Sequence, residues 1–204
     1  MKKKLVLGIL LFFNGFSSNA FSIDRRGEIQ YVTNQVQIDQ SQENKSTMLG
    51  SKRWQTATKG QEIFVGNNIR TGLKSIAQIS YDDGTITRVG SRSLITINDR
   101  KLNLKRGYIW GKVDKNTTKG LKIITSNAVA SIIGTEFFIE ASQDGFTTLT
   151  VLEGSVELTG KKGKVQVTEG TYSVVDKEGN VGDPAVFDKD KVIQRYSDIV
   201  ISID

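Results

Sequence analysis

The chain has 204 residues, with 28 Lys+Arg against 22 Asp+Glu, and contains neither histidine nor cysteine. That excludes disulfides, a thiolate nucleophile, an imidazole base and any Cys/His zinc or haem site. Twenty glycines beside a single proline, with Thr, Val and Ile throughout, predict many short strands joined by turns.

The first residues read as a targeting signal. Lys2–Lys4 form a positive start, Leu5–Phe13 an apolar run, and Ser18-Asn19-Ala20 puts small residues where a signal peptidase cuts. The apolar run is short of the ~20 residues that span a bilayer. The expectation is an exported protein, periplasmic or secreted after cleavage near Ala20, with an uncleaved anchor as the alternative. Residues 21–204 then carry 25 basic against 22 acidic groups. The basic residues are scattered among apolar ones, as on the wet face of strands. Nucleic acid is therefore not an expected partner.

Two short strands are predicted at Ile29–Val32 and Gln35–Ile38 around a turn at Thr33-Asn34, followed by a polar surface loop from Asp39 to Arg53. From Trp54 onward turn signals recur about every eight to twelve residues, as in an all-β fold. Predicted strands are Gln61–Val65, Ile76–Tyr81, Thr85–Val89, Leu94–Ile97, Tyr108–Val113 and Leu121–Thr125. Further strands are predicted at Ala128–Ile133, Glu136–Ala141, Thr147–Leu152, Ser155–Leu158, Lys164–Val167 and Tyr172–Val175. Gly84, in Asp82-Asp83-Gly84, suits a hairpin turn, and Gly134 interrupts an apolar run before Phe137.

Three stretches share a pattern: L-K-R-G-Y-I-W from Leu104, V-L-E-G-S-V-E from Val151 and V-T-E-G-T-Y-S from Val167. A glycine at a fixed place between apolar positions, here Gly107, Gly154 and Gly170, marks a corner that a Cβ would obstruct or that needs positive φ. The intervals of 47 and 16 residues give no constant period. The expected architecture is thus an irregular β-solenoid or rolled β-sandwich of many short strands. Beyond Asp183-Pro184, the residues Val192, Ile193, Tyr196, Ile199 and Val200 make a helical stripe, with Asp188 or Asp190 as N-cap. A short amphipathic helix is expected to cap an exposed sheet edge or open end. The division is 1–20 signal peptide, 21–183 all-β domain and 184–204 helical cap.

Catalytic chemistry finds little footing. Asp82 with Asp83, and Glu136 with Glu140, are the candidate carboxylate pairs, and both read more simply as turn and strand residues. Asp82-Asp83 lacks the loop pattern of a calcium site. No catalytic residue, metal site or cofactor is therefore expected. Trp54, Tyr108, Trp110 and Phe146 are candidates for a sugar-stacking platform or for a small β core. Tyr108 and Trp110 share one strand face. Together with Lys112 they make the one candidate ligand face, and Lys115, Lys119 and Lys122 follow nearby.

The order of pieces also carries a resemblance. W-Q-T-A-T-K-G-Q-E-I from Trp54 is followed by G-N-N-I-R-T-G from Gly66, S-I-A-Q-I-S-Y-D-D-G-T from Ser75 and L-K-R-G-Y-I-W from Leu104. Then come N-A-V-A-S-I-I-G-T-E-F from Asn127 and T-V-L-E-G-S-V-E-L from Thr150. Over Gly27–Val175 the chain resembles the FecR-type domain, the periplasmic part of iron-transport regulators. The resemblance implies an all-β, solenoid-like domain without catalytic activity that senses the signalling domain of an outer-membrane receptor. A signal-like start stands where such regulators have an anti-sigma segment and a membrane span. The residues after Val175 are too few for their further domain. The reading is an exported, non-catalytic module that binds or scaffolds another envelope protein, with no membrane span in the mature chain. A binder of cell-wall or surface polysaccharide, using the Tyr108/Trp110/Lys112 face, is the alternative.

Overall fold

A computed structural model describes residues 25–39, 54–117 and 120–200. The expected signal segment and the polar loop after Asp39 lie outside them. The first strands are β1 (Arg25–Thr33), β2 (Val36–Asp39), β3 (Trp54–Thr56), β4 (Glu62–Phe64), β5 (Asn68–Thr71) and β6 (Ile76–Tyr81). Next come β7 (Ile86–Val89), β8 (Leu94–Asn98), the long β9 (Lys101–Lys112), β10 (Leu121–Ile124), β11 (Ala128–Ile132) and β12 (Glu136–Ala141). The chain continues with β13 (Thr147–Glu153), β14 (Ser155–Gly160), β15 (Gly163–Thr168), β16 (Thr171–Val175) and β17 (Ala185–Val186). It ends in helices α1 (Lys189–Arg195) and α2 (Ser197–Val200).

The strands form two open layers that share β9. Sheet A runs β4-β1-β6-β7-β9-β12-β13-β16-β17. Sheet B runs β3-β2-β5-β8-β9-β10-β11-β14-β15. Nearly all pairings are antiparallel; β9 and β10 are parallel. Between the layers lies one apolar core drawn from both, including Ile29, Ile38, Ile69, Ile95, Ile109, Phe137, Leu149 and Leu158, all fully buried. Period-2 alternation sends every second residue into it. This is the rolled sandwich among the expected architectures, with one sheet folded over on itself.

The three-fold glycine pattern acquires a common meaning. Gly107 is where β9 passes from sheet B to sheet A, Gly154 joins β13 of sheet A to β14 of sheet B, and Gly170 joins β15 of sheet B to β16 of sheet A. Gly134 stands at a fourth crossing, between β11 and β12, and Gly84 in the β6–β7 hairpin. All five have positive φ. In that hairpin the Gly84 N–H donates to the Tyr81 carbonyl at 3.1 Å and the Thr85 N–H to Asp83 Oδ1 at 3.0 Å.

The C-terminal helices form a cap, and it lies on a sheet face: among the described residues the edge of sheet A beyond β16 is taken by β17. Tyr196 and Ile199 instead pack on Ile76, Trp110 and Phe138, across the outer face of β6, β9 and β12. The physical reason is that this outer face is itself apolar, so a cover there removes far more apolar surface from water than one on a strand edge.

Candidate functional site

Outward residues of sheet A line up in register. Gln78, Arg88, Trp110, Phe138, Thr150 and Tyr172 stand opposite one another on six successive strands, β6 to β16. Trp110 and Phe138 are buried although they point away from the main core. The Trp110 indole N–H donates to Glu136 Oε1 at 3.2 Å, and Lys112 Nζ lies 3.5 Å from Glu136 Oε2. Arg88, also buried, lies 4.8 Å from the Trp110 ring centroid and donates from Nε to Gln78 Oε1 at 2.7 Å. Burial pulls the Arg88 guanidinium below its ordinary pKa, with the Glu136 charge opposing the shift.

The C-terminal segment occupies this face through apolar and polar contacts together. Asp188 caps α1, its Oδ1 accepting from the Asp190 and Lys191 N–H groups at 3.1 and 3.3 Å. The Tyr196 ring stacks on Phe138 at 4.4 Å and tilts against Tyr108 at 5.4 Å. Its hydroxyl donates to Glu140 Oε2 at 3.0 Å, the same oxygen that accepts from Arg195 at 2.8 Å. The Tyr108 hydroxyl donates to Asp198, and Arg88 Nη1 donates to the Ile199 carbonyl at 2.9 Å. Burial raises both the Tyr108 and Tyr196 phenols above the ordinary tyrosine range. Beside α1 the cover is incomplete. A crevice of about 730 Å³ remains, lined among others by Thr150, Tyr172, Val186, Val192 and Tyr196.

Of the candidate ligand face, Trp110 thus lies beneath the helices, Tyr108 is half-buried at their margin, and Lys112 is exposed beside Glu136. The other two aromatic candidates lie elsewhere. Trp54 is on sheet B with the Arg70 guanidinium 4.2 Å from its ring centroid, and Phe146 is exposed beyond β12. Lys115 pairs with Glu153 at 2.5 Å, Lys122 is on sheet B, and Lys119 lies outside the described residues. The carboxylate candidates are all engaged: Glu136 and Glu140 as above, Asp82 with Arg25, and Asp83 with Arg100. Among the described residues no cluster of three or more Asp and Glu has the geometry of a metal site. Arg88 is the residue that reading the sequence missed, since alternation alone puts it on a wet face.

Comparisons with known proteins agree with this architecture. The family model described as FecR protein matches residues 67–157, from the approach to β5 into β14. Two crystal structures of a proposed anti-sigma factor from Parabacteroides distasonis ATCC 8503 superpose with a TM-score of 0.54 at 17% identity. Each match covers 61% of this chain and 62% of that one, so it speaks to the fold alone. No curated protein matches the sequence.

Proposed function

Because this chain carries a FecR domain over residues 67–157, we propose that it is an exported, non-catalytic signalling module that binds another envelope protein by strand addition. The observation that carries this reading is the far edge of sheet B. Strand β15 is six residues long and, among the described residues, pairs with β14 alone. One side of it therefore offers a row of backbone N–H and C=O groups to an incoming strand. The other sheet edges are shorter: three residues in β3, three in β4 and two in β17. Lys164, which would otherwise discourage docking, is tied over the sheet face to Glu157 at 2.9 Å.

The partner suited to this role is the signalling domain of an outer-membrane receptor, the partner class that the FecR resemblance implies. Titrating the protein with such a domain while following amide hydrogen exchange tests the reading. Binding with new protection across Gly163–Thr168 is the expected result. Binding that protects other strands, or no binding, refutes it.

A further inference from the structure

Several strand cations of this molecule are matched to acids on neighbouring strands. Lys112 on β9 faces Glu136 on β12, Lys164 on β15 faces Glu157 on β14, and Arg25 on β1 meets Glu62 on β4. The sheet B half of β9 breaks this pattern. There Lys101 stands in register with Lys122 on β10, two like charges on strands about 4.8 Å apart. Lys105 and Arg106 follow on the same strand, and all four are exposed. None of the four has an ion pair among the described residues. Besides the half-buried Leu94, Ile124 and Val129, the outer face of β8 to β11 carries Thr96, Asn98, Asn103 and Ser131, with no carboxylate; Glu157 on β14, opposite Ser131, is already paired with Lys164.

A like-charged pair in direct register destabilises a sheet. Its persistence without a counter-charge, where the like-charged register pairs Glu28/Glu62 and Glu136/Glu153 each have a basic partner, marks a surface that an external anion neutralises. We propose that the outer face of sheet B around Lys101, Lys122 and Arg106 binds an anionic polysaccharide, one whose sugar hydroxyls and carboxylates are spaced along a chain. The amide and hydroxyl side chains between the cations suit sugar hydroxyls. Single-stranded nucleic acid would call for aromatic platforms to stack its bases. Trp54, the aromatic on this face, already stacks with Arg70. A lipid surface would call for protruding apolar side chains, whereas Ile124 and Val129 here are half-buried. This face is separate from the β15 edge and from the helix-covered face of sheet A, and the inference does not rest on the proposal above.

The test uses the full chain with polygalacturonate as probe, dextran as the neutral control, and single-stranded DNA and phosphatidylglycerol vesicles as rivals. Polygalacturonate is expected to bind in a salt-sensitive manner and dextran to be ignored. Lys101→Gln with Lys122→Gln should weaken binding by about tenfold or more. Lys112→Gln, on the opposite layer, should leave it unchanged. A second readout is independent of binding: Lys122→Glu should raise the thermal midpoint, because it turns a repulsive pair into an attractive one, while abolishing retention. Equal losses for the Lys112 and Lys101/Lys122 variants, no retention of polygalacturonate, or tighter binding of DNA or vesicles each overturns the proposal.

Discussion

Replacing Gly107 by alanine separates two costs that a corner glycine avoids. Its φ is +89°, a region in which an L side chain is strained by roughly 1–2 kcal/mol. An added Cβ would also come within 2.5 Å of Ser93 Cα and 2.1 Å of Ser93 Oγ. Ser93 cannot swing aside. It is fully buried, and its Oγ accepts from the Tyr108 N–H at 3.0 Å. Overpacking of this kind adds roughly 1–3 kcal/mol. Gly170 supplies the control, with φ +76° and nothing within 4 Å of the added atom. Gly170→Ala should therefore cost about 1–2 kcal/mol and Gly107→Ala about 2–5 kcal/mol. The gain from restricting the unfolded chain is common to both and cancels. The difference, about 1–3 kcal/mol, corresponds to thermal midpoints about 2–12 °C apart for a chain of this size. Thermal and urea unfolding measured side by side decide the matter. Equal losses at the two positions would refute the tight crossing at Gly107.

Tyr196→Ala removes the ring that stacks on Phe138 and should cost about 3 kcal/mol of helix docking. Because the loss falls on the cover, the far-ultraviolet strand signal should persist while Trp110 emission shifts to the red; unchanged emission would contradict the packing. Alkaline titration is the next check. Burial raises the phenols of Tyr81, Tyr108 and Tyr196, so the folded state keeps protons that an unfolded tyrosine releases near pH ~10. Their contribution to stability is intact below that pH and is lost as pH climbs above it. Phenolate absorbance from the three should appear together with unfolding, and its appearance in the folded protein would count against their burial.

Much of the sandwich is legible in the chain because alternation and glycine placement are local signals. Ile76–Tyr81 and Glu136–Ala141 are strands with the expected bounds. The first half of β9 was missed although Leu102 and Leu104 alternate with Lys101 and Asn103. Gly107 reads as a turn ahead of a strand that begins at Tyr108, whereas it is a bend inside a longer strand. Strand β5, N-I-R-T, carries too little apolar character to stand out, and its place comes from pairing with β2 and β8. The location of the helix was similarly hidden. The stripe of Tyr196 and Ile199 is plain in the sequence, but its counterpart is assembled from Ile76, Trp110 and Phe138 on three strands. Arg88 shows the limit most clearly, since the carbonyl it meets belongs to a residue 111 positions away.

The double membership of β9 bears on the order in which the molecule can close. Among the described residues, all strand pairing between the first eight strands and the last eight passes through this one strand, to β7 and β8 on one side and to β10 and β12 on the other. A chain lengthening from its N-terminus would complete β1 to β8 with two raw borders, one in each layer, and no way to seal either. The arrival of residues 101–112 seals both in a single event and offers the template on which the second half zips. Until β9 docks, the chain exposes two unpaired strand edges, the condition under which partly folded chains self-associate.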